Sequence, residues 1–290
     1  RRIGTEAGAI GDSMNSWRTG WRALLLCCGL MGLATAQPEP LRIGIIPYLT
    51  PNVLMSLFQP LRQHLEKDLG RPVELYTATD VRSFARRTLK PDFDIVITAA
   101  HQARLAQLEG GYHPLARFTG PLHAAVIVAQ KSPLNQIKDL RGRRIAITDR
   151  SILVNIAMNK VFADQGLSDK DFDFVTVNSQ NTAIIAVAQG DSDAAIIAHF
   201  TLDQSPEDQR RAVRVIYRSD ILPNVVLLAS AKLGEPMREQ IRASLLGLPG
   251  SPDGAAFLEK SRFQGIQKTD EAFMKTLDPY LKETRKQLGL

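Results

Sequence analysis

Cysteine is almost absent from this sequence of 290 residues. The two that occur, Cys27 and Cys28, are adjacent and lie in an apolar run near the amino terminus. From residue 37 onward the chain has none, which excludes a disulfide framework, a thiol nucleophile and a cysteine metal site there. Such a chain depends on its hydrophobic core for stability, and at this length it can form one.

Aromatic residues and net charge are also low. Aromatics make up 6% of the chain, and 36 Lys and Arg against 30 Asp and Glu leave a net charge of +6 that is spread along the sequence. A nucleic-acid-binding protein usually concentrates its basic residues and offers aromatic rings for base stacking, so the composition argues against this class. The 44% hydrophobic and 23% charged residues are typical of a globular protein, with one large domain or two of about 100–150 residues.

The first 36 residues have the pattern of an export signal. Residues 1–13 show no periodicity and are interpreted as an upstream extension. Arg18 and Arg22 then precede the apolar run 23–36, which ends in an Ala-x-Ala cleavage motif. The run is about 14 residues long and a membrane-spanning helix needs about 20, so a cleavable signal peptide is favoured over a membrane anchor. Both cysteines lie too early in the run for a lipid anchor. The sequence therefore predicts a periplasmic mature protein.

The rest of the chain alternates short apolar runs with segments of helical period. Predicted strands are 41–46, 72–78, 93–98, 122–130, 143–148, 172–177, 193–200, 213–219 and 224–230. Predicted helices are 53–69, 81–89, 101–109, 151–165, 181–189, 203–211, 235–247, 252–261 and 270–287. Alternation of this kind is typical of βαβ units, so the sequence predicts an α/β fold in two halves, each with a mostly parallel sheet, and a helical carboxyl-terminal tail.

Six segments carry a resemblance to a known family. They are GIIPYLTP (44–51), PLRQHLEKDLGRPVEL (60–75), DFDIVITAAHQA (92–103), SPLNQIKDLRGRRIAI (132–147), NTAIIAVAQGDSDAAI (181–196) and SDILPNVVLLAS (219–230). In this order they resemble the phosphate/phosphite/phosphonate-binding family of periplasmic solute-binding proteins of ABC transporters.

The resemblance implies a type II periplasmic-binding-protein fold with two lobes and two hinge strands. Lobe 1 would be 41–121 with 225–290, and lobe 2 would be 125–220. The crossing strands near 122–130 and 216–228 would be the hinges. It also implies that a small anionic, phosphonate-like ligand is held between the lobes and passed to an importer permease. The expected protein is a monomer without a cofactor.

The sequence departs from the family at the turn that cradles the phosphonate. Members of the family have a Ser-Thr-Ser-Gly-like turn there, whereas 148–154 reads Thr-Asp-Arg-Ser-Ile-Leu-Val, so only Ser151 corresponds clearly. The family's His before the Ala-Val-x-x-Gly helix corresponds to Gln180, and His101 stands where a Tyr is common. The ligand is thus expected to be a small anion, with its identity open.

Candidate ligand-binding residues lie where predicted strands end and helices begin. Helix amino termini there present unpaired N–H groups and partial positive charge, which favour anions. Plain helix capping is the alternative, above all for Asp80 and Ser151. Arg150 is expected to point into the cleft, and the alternative is a surface position near Asp149. The full set is Tyr48, Thr50, Asp80, Thr98, His101, His123, Arg150, Ser151, Gln180, Asn181 and His199.

Motifs of catalysis and metal binding are missing from the sequence. It has no G-x-S-x-G, P-loop or G-x-G-x-x-G motif, and its histidines show neither H-x-H nor H-E-x-x-H spacing. We therefore expect no enzyme activity, no catalytic residue and no metal site. The alternative to transport is a periplasmic sensor-input protein whose ligand-bound form signals to a membrane receptor.

Overall fold

Two β-sheets flanked by helices organise residues 38–290, the part of the chain that this computed structural model describes. The signal peptide predicted at 1–36 lies outside the described residues. In chain order the strands are β1 (Leu41–Ile45), β2 (Val73–Tyr76), β3 (Ile95–Thr98), β4 (Tyr112–Thr119), β5 (Ala124–Ala129), β6 (Arg144–Ile147), β7 (Asp173–Thr176), β8 (Ala194–Ala198), β9 (Val213–Arg218), β10 (Val226–Ser230) and β11 (Gly265–Lys268).

The helices lie between these strands and after them. They are α1 (Pro51–Leu69), α2 (Val81–Leu89), α3 (Ala100–Glu109), α4 (Leu153–Asp164), α5 (Gln180–Gln189), α6 (His199–Asp203), α7 (Glu207–Ala212), α8 (Glu235–Gly247), α9 (Pro252–Ser261), α10 (Glu271–Lys275) and α11 (Asp278–Leu288). Three short 3₁₀ turns occupy Ile137–Leu140, Asp169–Asp171 and Leu248–Gly250.

Five strands follow the same order in both sheets, and β11 is an additional edge strand of the first sheet. The first sheet runs β11-β4-β10-β3-β1-β2 and the second runs β7-β6-β8-β5-β9. In the first sheet β1 to β4 point the same way, as expected of βαβ units, and β10 is inserted antiparallel between β3 and β4. In the second sheet β6 to β9 point the same way, and β5 is inserted antiparallel between β8 and β9.

Four strands of each sheet point the same way, so the prediction of mostly parallel sheets is confirmed, and the interior exception in each sheet is the inserted antiparallel strand. The reason is that each inserted strand enters its sheet directly from the other one, so it arrives in the opposite direction to the strands beside it. The chain crosses between the sheets after β4 and again after β9, and the two crossing segments are 120–123 and 219–225. Leu122 and Leu222 form an isolated antiparallel bridge between the two crossing segments. Leu222 N donates to Leu122 O at 2.7 Å, and Ser219 N donates to Ala124 O at 2.9 Å.

Residues of β1 and β5 show how the core is divided. Ile43 and Ile45 of β1 are fully buried, and the strand is flanked by β2 and β3. Gly44 between them leaves room for Phe93, since a Cβ at Gly44 would lie 2.5 Å from the Phe93 ring. In the second sheet, alternate residues of β5 face opposite sides: Val126 belongs to the main apolar cluster, and Ile127 packs in a separate cluster with α5.

Two strands were missed by the sequence analysis. β4 contains Pro114, which lacks the N–H that a ladder needs, and β10 shifts register beside it between Leu227 and Leu228. The bulge accommodates the proline in an interior strand. β11 is a short edge strand without an apolar run, so no pattern marks it.

Two predicted helices differ from the structure. Pro206 lies directly before α7, so only 207–211 of the region predicted as the helix 203–211 belongs to α7, and the predicted 270–287 is divided into α10 and α11. A residue before proline is disfavoured in the α conformation, which accounts for the break at Pro206, whereas Pro279 lies in the first turn of α11, where proline is tolerated. No helix of residues 38–290 is both long and apolar enough to cross a membrane.

Candidate ligand-binding site between the two sheets

A small cavity of about 50 Å³ lies where the two sheets face each other. Both sheets and both crossing segments line it. The lining residues are Ile46, Tyr48, Ala99, Leu122, Ile152, Leu153, Val154, Gln180, Ala198, Phe200 and Val225. None of them carries a charge, and only Tyr48 and Gln180 have polar side chains.

On the side of the first sheet, the amino terminus of α3 meets the cavity. Ala99 is its N-cap residue and lines the cavity, and the first helical hydrogen bond runs from Ala103 N to Ala99 O at 2.9 Å. The N–H groups of Ala100, His101 and Gln102 precede that bond, and they donate to no acceptor within the described residues. All three residues are buried. Three buried donors therefore stand at one helix end, a position that favours an anion.

On the side of the second sheet, the amino terminus of α4 meets the same cavity. Ile152 is its N-cap residue, and its carbonyl accepts from Asn155 N at 3.0 Å. The N–H groups of Leu153 and Val154 precede that bond, and no hydrogen bond from them is found in the described part of the chain. Ser151, just before the helix, is fully buried, and its hydroxyl has no hydrogen-bond partner among residues 38–290. One buried helix terminus from each sheet thus meets the same cavity.

Four contacts join the sheets around this cavity. Gln180 N donates to Tyr48 O at 3.0 Å, and Thr50 N donates to Asn181 Oδ1 at 3.1 Å. On the other side, the His101 imidazole contacts Ser151 O, and Arg82 Nε lies 3.2 Å from Asp149 Oδ2. The structure is therefore closed, with the cavity covered by protein.

His101 is the buried titratable side chain nearest to both helix ends. Its Nε2 lies 2.7 Å from Ser151 O, and because a carbonyl only accepts, Nε2 carries the proton. Its Nδ1 is then an acceptor, and it has no partner in the described residues. Burial lowers the pKa of His101 to about 4, and the hydrogen bond to Ser151 O opposes this only in part. The ring is therefore neutral at neutral pH.

Tyr48 and Gln180 are the polar side chains of the lining. The Tyr48 hydroxyl is buried and has no hydrogen-bond partner in the described part of the chain, and burial raises its pKa while the nearby Gln204 amide opposes the rise. Its ring meets Phe200 edge to face at 6.0 Å. The Oε1 atom of Gln180 is satisfied internally, since it accepts from Ala198 N at 2.8 Å and from Thr201 Oγ1 at 2.7 Å.

Several predicted residues lie near the cavity without lining it. Thr98 ends β3 and is buried, with its hydroxyl 3.4 Å from Gln102 Oε1. His123 and His199 form a pair beside the crossing segments: His123 N donates to His199 Nδ1 at 3.2 Å, and His123 Nδ1 donates to Ser219 O at 2.7 Å. Burial lowers the pKa of His199, and the charge of His123 adds to the effect.

Asp80 acts as a helix cap in this structure. Its Oδ1 accepts from Ser83 N at 2.7 Å at the start of α2, and this bond is the largest of the effects that lower the pKa of its carboxyl. The side chain is exposed and does not line the cavity. The capping alternative describes Asp80 here.

Arg150 does not point into the cleft, and the expected inward orientation is wrong. Its guanidinium pairs with Asp169 and lies over the Phe174 ring at 4.5 Å, with 40% of the side chain exposed. Asp149 does not hold it, because that carboxylate accepts from Ser151 N at 2.7 Å and faces Arg82. The ion pair and the aromatic face on the second sheet account for the outward position.

Sequence analysis missed the apolar wall of the cavity. Ile152, Leu153 and Val154 line it directly after Ser151, and Leu122 and Val225 line it from the crossing segments. The signal is present in the turn at 148–154, where three apolar residues follow Ser151 directly.

A larger groove of about 540 Å³ lies outside this site, between α1, α9 and the α6–α7 region. It is open to solvent, and its basic residues Arg210, Lys260 and Arg262 are exposed. The enclosed cavity is the better candidate because desolvated donors converge there. Across residues 38–290, no group of three or more His, Cys, Asp or Glu side chains is arranged to hold a metal ion.

Comparison with solved structures identifies the fold. PhnD1 of Prochlorococcus marinus, in complex with methylphosphonate, has a TM-score of 0.78 at 17% identity, covering 86% of this chain and 100% of that one. A binding-protein component of an ABC phosphonate transporter from Pseudomonas aeruginosa gives 0.74 at 16%, covering 87% and 98%. These likenesses confirm the predicted type II periplasmic-binding-protein fold.

Comparison with sequences identifies the family. The phosphonates-binding periplasmic protein of Escherichia coli (strain K12) is 24% identical over 241 residues, covering 78% of this chain and 71% of that protein. The phosphate-import protein PhnD of Mycolicibacterium smegmatis is 19% identical over 230 residues, covering 72% of each. The family model described as "ABC transporter, phosphonate, periplasmic substrate-binding protein" matches residues 43–273. The chain therefore belongs to this family of periplasmic substrate-binding components of ABC transporters.

Proposed function

We propose that this protein captures a small phosphonate-like anion in the cavity between its two sheets and delivers it to the permease of an ABC importer. The observation that carries the proposal is the convergence of two buried helix amino termini, one from each sheet, whose N–H groups have no acceptor in the described residues. Family membership supports the transport role rather than the sensor alternative.

The proposed contacts follow from the donors and acceptors around the cavity. N–H groups at the starts of α3 and α4 bind anion oxygens, where the helix dipoles also favour negative charge. The hydroxyls of Tyr48 and Ser151 are further donors. His101 Nδ1 accepts from a protonated phosphonate oxygen. Gln180 positions the α5 end of the cavity through its bonds to Ala198 and Thr201.

Ligand entry requires the two sheets to separate. We propose that lobe 1 (41–121 with 225–290) and lobe 2 (125–220) rotate about the crossing segments. The Tyr48–Gln180, Thr50–Asn181 and His101–Ser151 contacts form on closure and stabilise the closed form. Opening breaks them and exposes the helix termini to solvent.

Export and assembly complete the proposal. Signal cleavage after Ala36 releases a mature chain that begins at Gln37 and acts as a monomer in the periplasm. Intact-mass measurement of the exported protein tests the cleavage site, and a mass that retains residues 14–36 contradicts it.

Isothermal titration calorimetry with methylphosphonate tests the binding role. Saturating ligand at about 100 times Kd should raise the stability by about 2.7 kcal/mol, which thermal denaturation measures independently. Leu153→Glu puts a carboxylate at the start of α4, where it competes for the same N–H groups, and should weaken binding by more than about 100-fold.

Asn159→Glu is the matched control, since it adds the same charge at an exposed position of the same helix. It should leave Kd within about threefold, because its charge stays solvated. The melting curve of each variant without ligand checks that it folds. Equal loss of binding in both variants, or none in either, contradicts the assignment of this cavity as the ligand site.

A further inference from the structure

The lining of the cavity is almost entirely carbon. Ile152, Leu153 and Val154 form one wall, and Leu122 and Val225 approach from the crossing segments. Phe200 lies in α6, directly after β8, in contact with the Tyr48 ring. An anion bound at the helix termini therefore has an apolar surface around its other end.

No acidic side chain lines the cavity within the described residues. The nearest carboxylate of the α4 turn, Asp149, already accepts from Ser151 N and faces Arg82 across the cleft. An ammonium group on the ligand would be buried without a counter-ion, which is strongly unfavourable. The lining thus discriminates against a ligand with a positive charge.

No Lys or Arg lines the cavity either, again among residues 38–290. The basic side chain closest in sequence to the amino terminus of α4, Arg150, is directed away towards Asp169. Neutral donors, namely backbone N–H groups, hydroxyls and the Gln180 amide, must then stabilise the anion, and these favour a single negative charge over two because each further buried charge needs further compensation. Inorganic phosphate, which has oxygen on all sides, would also place polar atoms against the apolar wall.

The size of the cavity limits the apolar group. Beside a phosphonate group held at the helix termini, a volume of about 50 Å³ leaves space only for a short substituent. Each buried methylene should improve affinity about fourfold until the space is filled.

We infer that this cavity selects a compact organophosphonate whose substituent is a short uncharged alkyl group, and that the Ile152–Leu153–Val154 wall makes the selection. This inference rests on the proposed function and adds the chemical class of the substituent. It assigns to the second sheet a role in excluding ammonium-bearing phosphonates and inorganic phosphate.

Calorimetric titration with a matched pair of ligands tests the inference. Propylphosphonate and 2-aminoethylphosphonate have the same number of heavy atoms and differ by a terminal methyl against an ammonium group. Propylphosphonate should bind at least about 100-fold more tightly, and ethylphosphonate about fourfold more tightly than methylphosphonate. Inorganic phosphate should be the weakest anion of the series.

Val154→Thr adds a hydroxyl to the wall at nearly constant shape and should lower the ratio of propylphosphonate to phosphate affinity about tenfold. Val161→Thr, on the same helix but outside the lining, is its control and should leave the ratio within about threefold. Equal or tighter binding of 2-aminoethylphosphonate overturns the inference and leaves the proposed function standing. Failure of every phosphonate and of phosphate to bind overturns the proposed function itself.

Discussion

The two walls of the cavity have the same architecture and different chemistry. Each is built on a sheet in which five strands follow a common order, and each presents the amino terminus of a helix that follows an interior strand, β3 in the first sheet and β6 in the second. Beside the wall of the first sheet lies His101, whose Nδ1 has no partner in the described residues. The wall of the second sheet adds the apolar residues 152–154 and the internally bonded Gln180.

The difference separates two parts of ligand recognition, general affinity for an anion and selection among anions. Strand order alone brings both helix termini to the cavity, so general affinity for an anion belongs to the fold. Selection among anions belongs to the side chains of the first helical turns, which the fold does not determine. Substitutions in each wall should therefore have different effects, and the predictions below run from the largest to the smallest.

Acid should destabilise the folded protein through protonation of His101, which is buried beside the first sheet. His101 has a pKa of about 4 when folded against 6.5 when exposed, so the unfolded chain binds more protons as the pH falls through this window. Stability that is present above pH 6.5 should decline by roughly 3 kcal/mol by pH 4. Urea unfolding at a series of pH values measures this, and His101→Gln should flatten the decline.

His113→Gln is the control for that measurement, since His113 is exposed on β4. It should leave the pH dependence as it is in the parent protein. His199 contributes a decline of the same sign, because its pKa is also lowered on folding. An unchanged decline in His101→Gln would show that His101 titrates normally in the folded chain.

Removal of the Gln180 side chain should lower the stability of the folded protein on the side of the second sheet. Gln180→Ala leaves the buried Ala198 N–H and Thr201 hydroxyl without an acceptor, at a cost of about 1–3 kcal/mol. Chemical denaturation measures the loss. Gln189→Ala, an exposed change in the same helix, should cost less than about 0.5 kcal/mol. Equal effects of the two would mean that the Gln180 bonds contribute nothing net.

Breaking one contact between the walls should shift the protein towards an open form. Asn181→Ala removes the acceptor of Thr50 N–H, worth about 1 kcal/mol, so ligand binding should weaken about fivefold. X-ray scattering with subsaturating ligand should show a larger radius of gyration than in the parent protein. Asn178→Ala, exposed and just before the same helix, should change neither quantity. A compact, tight-binding Asn181→Ala would place this contact outside the closing step.

Arg150 should have the smallest effect, because its guanidinium lies outside both walls. Arg150→Ala should change Kd by less than about threefold and stability by less than about 1 kcal/mol. Calorimetry and thermal denaturation check the two values. A tenfold loss of affinity would mean that Arg150 turns inward when ligand binds.

Local pattern was enough to predict most elements and the placing of the helix termini. The predicted helices at 81–89, 235–247 and 252–261 match α2, α8 and α9 to the residue, since clear caps and prolines mark their ends. β4 was not predicted because Pro114 is tolerated in it only through a bulge formed with β10, which comes over one hundred residues later in the sequence.

The protonation state of His101 and the orientation of Arg150 depend on tertiary contacts that no local sequence pattern encodes. His101 is buried and neutral because Ser151, fifty residues away in sequence, covers it from the other sheet. Arg150 turns outward because Asp169 and Phe174 lie beside it in the second sheet. Both outcomes are set by tertiary neighbours, whereas the sequence offered only residue types and spacing.

The insertion of β10 between β3 and β4 sets an order of assembly for the chain. The second sheet is drawn from one continuous stretch, so all its strands are present once residue 218 has been delivered. The first sheet then still has a gap in its interior, with β3 and β4 each presenting an unpaired edge until residues 226–230 arrive. Because non-local pairing is slow and open edges attract other strands, a chain that enters a compartment amino terminus first is most vulnerable to aggregation in that interval.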